Sequence, residues 1–418
     1  MKTSICWTWL GVAAVAGSLI VSWDWASAQE TGGPALIRVE DHPSLQAALD
    51  ALPAAGGTVV LPPGEFRLEQ PLVLTRGDTR VVGAGAATCL LNVGAGKPTL
   101  IVRPADIEKN PRARLWRVQL ADFRICGDPA AINDKSTEPK SGDGLLATAV
   151  DELLLHNLAV DHHGGNGIRL VNCSEDPRVS DSIVTYNRQT GLALEGCHDI
   201  VVSANQFEEN QDAVRCTDSF NLCMNGNNLD DHLGNGVVIE NTYGSVLSGN
   251  MIEECRGTAI VLDRDCYGIT LSANVIAHNS GGGIELRDAW GCAVSANTFT
   301  INGKFGLLIG PAAGRIAVGA NSFCDSFHGD EAKRKIEQNH AGGIVLNGAA
   351  DVAVTGNVFS GLSTDAIAAD AGCRRILVQG NIICGRNALA AGGRARLKLD
   401  AAASVAGEGN LVETDSPR

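Results

Sequence analysis

Between residues 162 and 287, carboxylates, arginines and histidines return at intervals of 22 to 24 residues. Two interleaved series carry most of them. One reads Arg169, Ala193, Arg215, Val238, Val261, Glu285, Leu308, Val345. The other, two residues later, reads Val171, Glu195, Thr217, Glu240, Asp263, Arg287, Gly310, Asn347. Upstream in each interval stand His162, Tyr186, Glu208, Asp231, Glu254 and His278, and next to them His163, Asn187, Glu209, His232, Cys255 and Asn279. If successive intervals stack, Asp212, Arg215, Asp231, His232 and Glu240 gather on one side, as the candidate catalytic residues. His162, His163, Arg169, Glu195, Asp263, Glu285 and Arg287 flank them as candidate substrate-binding residues.

These residue types suit several reactions. Proton removal beside a carboxylate needs a cation to neutralise that carboxylate and a base to take the proton; Arg215 or Arg169 could do the first and His232 the second. Carboxylates could hold Ca²⁺. Glu240 and Asp263, one interval apart, would lie about 5 Å from each other, the separation of a retaining glycosidase pair; Glu195 and Glu240, two intervals apart, approach the inverting limit. Arginines beside carboxylates also describe exposed ion pairs, which contribute little.

The stacking rests on a repeat. Fragments of one cast, "VVSANQF" (201–207), "VLSGNMI" (246–252), "TLSANVI" (270–276), "AVSANTF" (293–299), "AVTGNVF" (353–359) and "LVQGNII" (377–383), recur with an Asn in register. Aligning Asn157, Asp181, Asn205, Asn228, Asn250, Asn274, Asn297, Asn321, Asn357 and Asn381 gives gaps of 24, 24, 23, 22, 24, 23, 24, 36 and 24. A fixed period of this size marks a repeat architecture. Each period also holds a strand of alternating Ile, Val and Leu after a Gly or Ala, such as "GIRL" at 167 and "GIVL" at 343. Three short strands per turn, rising about 4.8 Å per coil, make an all-β, single-stranded right-handed parallel β-helix of about ten coils. Neighbouring coils bury each other's apolar face. The Asn is expected at a tight corner, tolerating the left-handed conformation and bonding to the Asn above and below. Insertions at 127–143 and 325–340 fall in the turn beside the charged series and would wall a groove roughly 40 Å long. An extended polymer fits that shape.

The entry "HPSLQAALDALPAAGGTVVLPPGEF" (42–66) reads as a short amphipathic helix that caps the first coil, followed by a strand. With "TRVVGAGAATCLL" (79–91) and the Asn corners, it resembles the pectin-lyase-like superfamily of right-handed β-helices over residues 36–412. That resemblance implies the fold. It spans polysaccharide lyases, glycoside hydrolases, uronate epimerases, adhesins and non-enzymatic accessory proteins, so it does not choose an activity. Specific signatures depart: there is no Arg-x-Pro-x-x-Arg or Asp-His strand motif of calcium-dependent pectate lyases. "NQDAV" (210–214) has one Asp where polygalacturonases carry two, and "LGNG" (233–236) has Asn where they carry His. "DHHGG" (161–165) is similar to the acidic-His motif of alginate epimerases without its Pro and Glu.

Residues 1–28 read as a secretory signal peptide cut after Ala28, leaving 29–418 as the β-helix domain and placing the protein outside the cell or in the periplasm. No later stretch is apolar enough to span a membrane. Cleavage removes Lys2 and Asp24, so the net charge stays at −14, which argues against nucleic acid as a partner. It also removes four of six Trp, leaving Trp116 and Trp290, too few for a broad stacking platform. Twelve Cys remain. Cys173, Cys197, Cys266 and Cys373 share a register with Phe220, Thr242, Ala289, Ala313 and Ala349, which reads as a packing column of buried thiols. A disulfide between Cys173 and Cys197 on adjacent coils is the alternative. Two functional classes follow. One is a protein acting on an extended uronate-containing polysaccharide by lyase or epimerase chemistry, with a carboxylate-pair hydrolase behind it. The other is a non-catalytic exported scaffold. The sequence leaves the oligomeric state undetermined.

Overall fold

A computed structural model of the chain describes residues 35–133, 137–325, 340–384 and 396–412. Its strands form one solenoid of about 14 turns. Thirteen of them, from Leu72–Leu74 to Leu397–Leu399, build one parallel sheet with one strand per coil. The remaining 29 form the other faces, usually as two short strands per coil, such as Val201–Ser203 and Gln206–Glu208. The turn count exceeds the expected ten because the coils before Asn157 do not carry the Asn motif on which the count was based.

The repeated motif explains the corner between those two short strands, with one change of role. Asn205, Asn227, Asn250, Asn274, Asn297, Asn321, Asn357, Asn381 and Asn410 form a continuous ladder, buried as far as Asn381, each Nδ2 donating to the next Oδ1 at 2.9–3.0 Å. Each also donates to a backbone carbonyl of the coil before it, as Asn297 does to Leu271 at 3.0 Å. The left-handed residue is not the Asn but the small residue preceding it. Ala204, Gly226, Gly249, Ala273, Ala296, Ala320, Gly356, Gly380 and Gly409 take φ of 54–71°. In the two coils before Asn205, Asn157 and Asp181 occupy that left-handed position themselves, and Ser182 takes the ladder place. In the coil between Asn205 and Asn250 the ladder member is Asn227, while Asn228 begins the next strand.

The same one-residue step alters the cysteine column. Cys173, Cys197, Ser219, Thr242, Cys266 and Ala289 point inward, and Phe220 stands outside with His198 and Tyr243. All twelve cysteines of the described residues are free thiols, Cys173 and Cys197 included, and eight are buried. Elsewhere the core is mainly aliphatic, with Phe123 and Phe207 among its buried side chains, and the rings of Phe299, Phe323 and Phe359 stack toward the C-terminal end at 4.4 and 4.9 Å.

At the N-terminal end the expected helix is Leu45–Asp50, capped by Ser44 Oγ. It buries Leu45, Ala48 and Leu49 over the first coil. Gln46 accepts from Val73 N at 2.8 Å and donates to Val73 O at 3.0 Å. One side-chain amide thus meets the open edge of strand Leu72–Leu74 as a neighbouring strand would. Among the described residues no helix is long and apolar enough to cross a membrane. Residues 1–34, with the expected signal peptide, and 326–339, most of the second insertion, lie outside the described residues.

Candidate functional site

The two charged series lie in register along the 13-stranded sheet, as Arg169–Ala193–Arg215–Val238–Val261–Glu285 and Val171–Glu195–Thr217–Glu240–Asp263. Side chains alternate in a strand, so both series face out. Asp212, Arg215 and Glu240 come together: Arg215 is 2.5 Å from Glu240 and 3.5 Å from Asp212, and Arg264 approaches Glu240 at 3.4 Å. Arg169 holds Glu195 through two bonds of 2.9 and 3.0 Å. Arg287 bridges Glu285 and Asp263 at 2.8 and 3.4 Å. Glu240 and Asp263 are register neighbours, but each carboxylate is already engaged by an arginine.

His232 and His163 do not join this face. Both rings are wholly buried in a second interior ladder, in line with Asn187, Asn210 and Asn279. His232 Nδ1 accepts from Asn210 N at 3.3 Å, and its Nε2 has no partner. The strand alternation ends at the corner, and the residue after each left-handed corner residue turns inward. Glu209 takes the left-handed corner position in its coil, one residue later than the expected Glu208, so Asn210 fills the ladder. Burial lowers both imidazole pKa values to about 4. Below pH 6.5 the unfolded chain binds protons that the folded chain refuses until about pH 4. Stability contributed by these rings is therefore complete above pH 6.5 and drains away between those limits, by on the order of 3 kcal/mol for each ring. His232→Asn, which offers an amide oxygen where Nδ1 now accepts, is expected to flatten the acid limb of a melting-temperature profile between pH 4 and 6.5. An unchanged limb refutes the assignment.

Asp231 also leaves the expected group. It sits at a left-handed corner beside Asp230 and Glu254, where one oxygen from each lies within 4.8 Å of the others. Burial, then Glu253, Asp231, Glu254 and Glu208, push Asp230 up to about 6. Among the described residues, these oxygens are of the type that suits a hard cation such as Ca²⁺.

A tighter constellation lies three coils earlier, beneath the 127–143 insertion. Asp161 ends strand Val150–Asp161 and is paired in register with Cys126. Its carboxylate is 8 % exposed and receives two Arg124 N–H bonds of 2.7 Å, the Cys126 thiol at 3.1 Å and His162 Nδ1 at 2.6 Å. Burial raises this carboxyl, but Arg124, His162 and Cys126 together hold it well below the usual range. The Cys126 thiol is raised by Cys89, burial and the Asp161 charge, so it stays a donor. Cys126, Asp161 and His162 have metal-like spacing, but Arg124 already saturates the carboxylate and the thiol is protonated, so the set does not fit a cation.

His162 is the corner residue, at φ 61°, with its ring 5.0 Å from Tyr186. With Nδ1 held by Asp161, Nε2 is the nitrogen left for other work. The insertion departs over it at Gly127, where a Cβ would lie 1.8 Å from His162 O. Asp128 closes the loop by accepting from Ala130 N and Lys140 N at 2.9 and 3.3 Å. Arg188 pins it through Glu138 at 3.0 Å and Thr137 O at 3.4 Å. His162, Tyr186, Arg188, Glu209, Thr137 and Pro139 enclose a cleft of about 90 Å³. The sequence reading had His162 as a binding residue and left Asp161, Arg124 and Tyr186 without a role. The consecutive Asp and His of "DHHGG" was the signal available.

A family described as "Right handed beta helix region" matches residues 143–323. The chain is a right-handed parallel β-helix. Solved structures similar to this β-helix include the mannuronan C-5 epimerase AlgE4 A-module of Azotobacter vinelandii, 17 % identical with TM-score 0.57, covering 91 % of this chain and 100 % of that one. The family 28 exopolygalacturonase of Yersinia enterocolitica is 11 % identical with TM-score 0.55, covering 92 % of this chain and 79 % of the other. Tailspike protein 3 of bacteriophage CBA120 is 12 % identical with TM-score 0.55, covering 91 % and 62 %. Comparison with curated proteins gives no match. At these identities the likeness is one of fold.

Proposed function

We propose that this β-helix is an exported carbohydrate-active protein that takes an acidic polysaccharide along its outer face and moves a proton at the sugar carbon beside the carboxylate. The observation that carries the reading is the Asp161–His162 pair, 2.6 Å between Oδ1 and Nδ1. The ionised, nearly buried Asp161 fixes the His162 tautomer and steadies the imidazolium that forms when Nε2 takes a proton. Arg188 lines the same cleft, and its partner Glu138 is 78 % exposed, so a substrate carboxylate can exchange with it. That charge makes the neighbouring carbon acidic. Return of the proton to the opposite face gives epimerisation, and loss of the 4-oxygen substituent gives an unsaturated lyase product. The AlgE4 A-module, whose name states epimerase activity on mannuronan, has this fold, which agrees with the reading.

The second reading is a non-catalytic scaffold. It is favoured by the 13-stranded face, where Glu195, Glu240, Asp263 and Glu285 each bind an arginine. Polymannuronate, alginate and polygalacturonate, incubated with the protein in D₂O with and without Ca²⁺, separate the two. Deuterium at C5 by NMR, or absorbance at 235 nm, is expected from the first. Silence in both readouts, with polymer still bound, leaves the scaffold.

A further inference from the structure

One outer column of the solenoid runs Trp116, Asp151, Ser174, His198, Phe220, Tyr243, Tyr267, Trp290. From His198 to Tyr267 the rings stack at 4.6, 5.1 and 4.9 Å with planes within 8°. Both tryptophans beyond residue 28 and two of three tyrosines therefore stand in one line, although the chain is only 4 % aromatic. The rings cover one another's faces and show edges to solvent, so the stack itself is no platform for a ligand. It is interrupted once. At Asp151 and Ser174 two rungs lack a ring, leaving a notch of about 700 Å³ between Trp116 and the uncovered face of His198. That volume lies in the range of small-ligand sites.

We propose that this notch binds an acidic saccharide unit, at a site separate from the His162 cleft. Trp116, 38 % exposed, with Ile107 and Pro111, gives an apolar wall. The floor is built and rigid. Asp151 is 2 % exposed and holds Arg114 through Nε at 2.7 Å and through Nη2, while Arg114 Nη1 donates to Asn172 O at 2.6 Å. These bonds use three of the five guanidinium N–H donors and leave two for a ligand. Arg112 lies on the same wall, and no ion pair engages it among the described residues. Segment 103–114 carries four basic and two acidic residues in a chain of net charge −14. The lining sets two arginines against Asp151 and Glu175 and so is not basic in sum. With Asp151 closed on Arg114, the two remaining Arg114 donors and Arg112 are the groups that would take a carboxylate on an otherwise hydroxylated, flat-faced ligand.

The proposal shares with the proposed function only its ligand class and needs no turnover. Isothermal titration of the full chain with a uronic-acid trisaccharide and a neutral trisaccharide tests it. Saturable binding of the acidic sugar is expected, weakened about tenfold or more in Trp116→Ala and in Arg112→Gln. Ser174→Tyr, which places a ring in the gap, is expected to abolish the notch's share of that binding. His162→Ala, which alters the cleft instead, is expected to keep the notch's share. Equal binding of the neutral sugar, no binding at all, or full affinity in Arg112→Gln overturns the proposal. Arg112 is exposed on a loop, so that variant keeps its fold. Loss of C5 exchange in His162→Ala with the notch still occupied separates the two sites. Absence of exchange in every variant refutes the cleft alone.

Discussion

His162→Ala is expected to lower the rate of C5 proton exchange by about two to four orders of magnitude, the usual contribution of a positioned base. The backbone tolerates this change: Ala204, Ala273 and Ala296 already occupy left-handed corners at φ 54–56°. Asp161→Asn tests positioning rather than proton transfer. An amide in contact with Arg124 leaves that guanidinium without its counter-charge and no longer fixes the His162 tautomer. Its rate loss is expected to fall on kcat and leave KM in place, because the substrate contacts remain. A merely structural Asp161 would change stability and leave kcat in place. Retained exchange in His162→Ala would move the chemistry away from the cleft.

Asn297→Leu is expected to cost on the order of 4 kcal/mol, taking each stranded buried polar group at roughly 1–3. Its Oδ1 accepts from Asn274 N and Nδ2, both at 3.0 Å, and its Nδ2 donates to Leu271 O and Asn321 Oδ1 at 3.0 Å. A leucine of similar size leaves Asn274 N and an Asn274 Nδ2 hydrogen buried without their acceptor. Asn410, last in the ladder and only half buried, receives from Asn381 and donates to Val378 O. Asn410→Leu should therefore cost much less. Urea midpoints of the two variants decide it; equal shifts would mean the corner is held by the apolar layers and not by its amides.

The period, the strand faces and both outward series were legible because alternation within a strand dictates which side a residue takes. Arg169 through Glu285 fall where the spacing placed them. Legibility failed at corners. In "MNGNNLD" two Asn stand together, and only the backbone decides that Asn227 enters the ladder and Asn228 the next strand. His232 was misread for the same reason, since a left-handed corner residue resets which neighbour points inward. The coils before Asn157 escaped the Asn count, as Asp122 rather than Asn takes the corner there. The Asp161–His162 pair was visible as letters, but its strength comes from Arg124 and Cys126, 37 and 35 residues away.

The contact of Gln46 with Val73 has a consequence for how copies of the chain meet. A solenoid end is a template for another solenoid, and head-to-tail association of that sort does not close, so it grows as a filament. By occupying both hydrogen-bonding groups of Val73, one glutamine removes the register point at which an incoming subunit would dock.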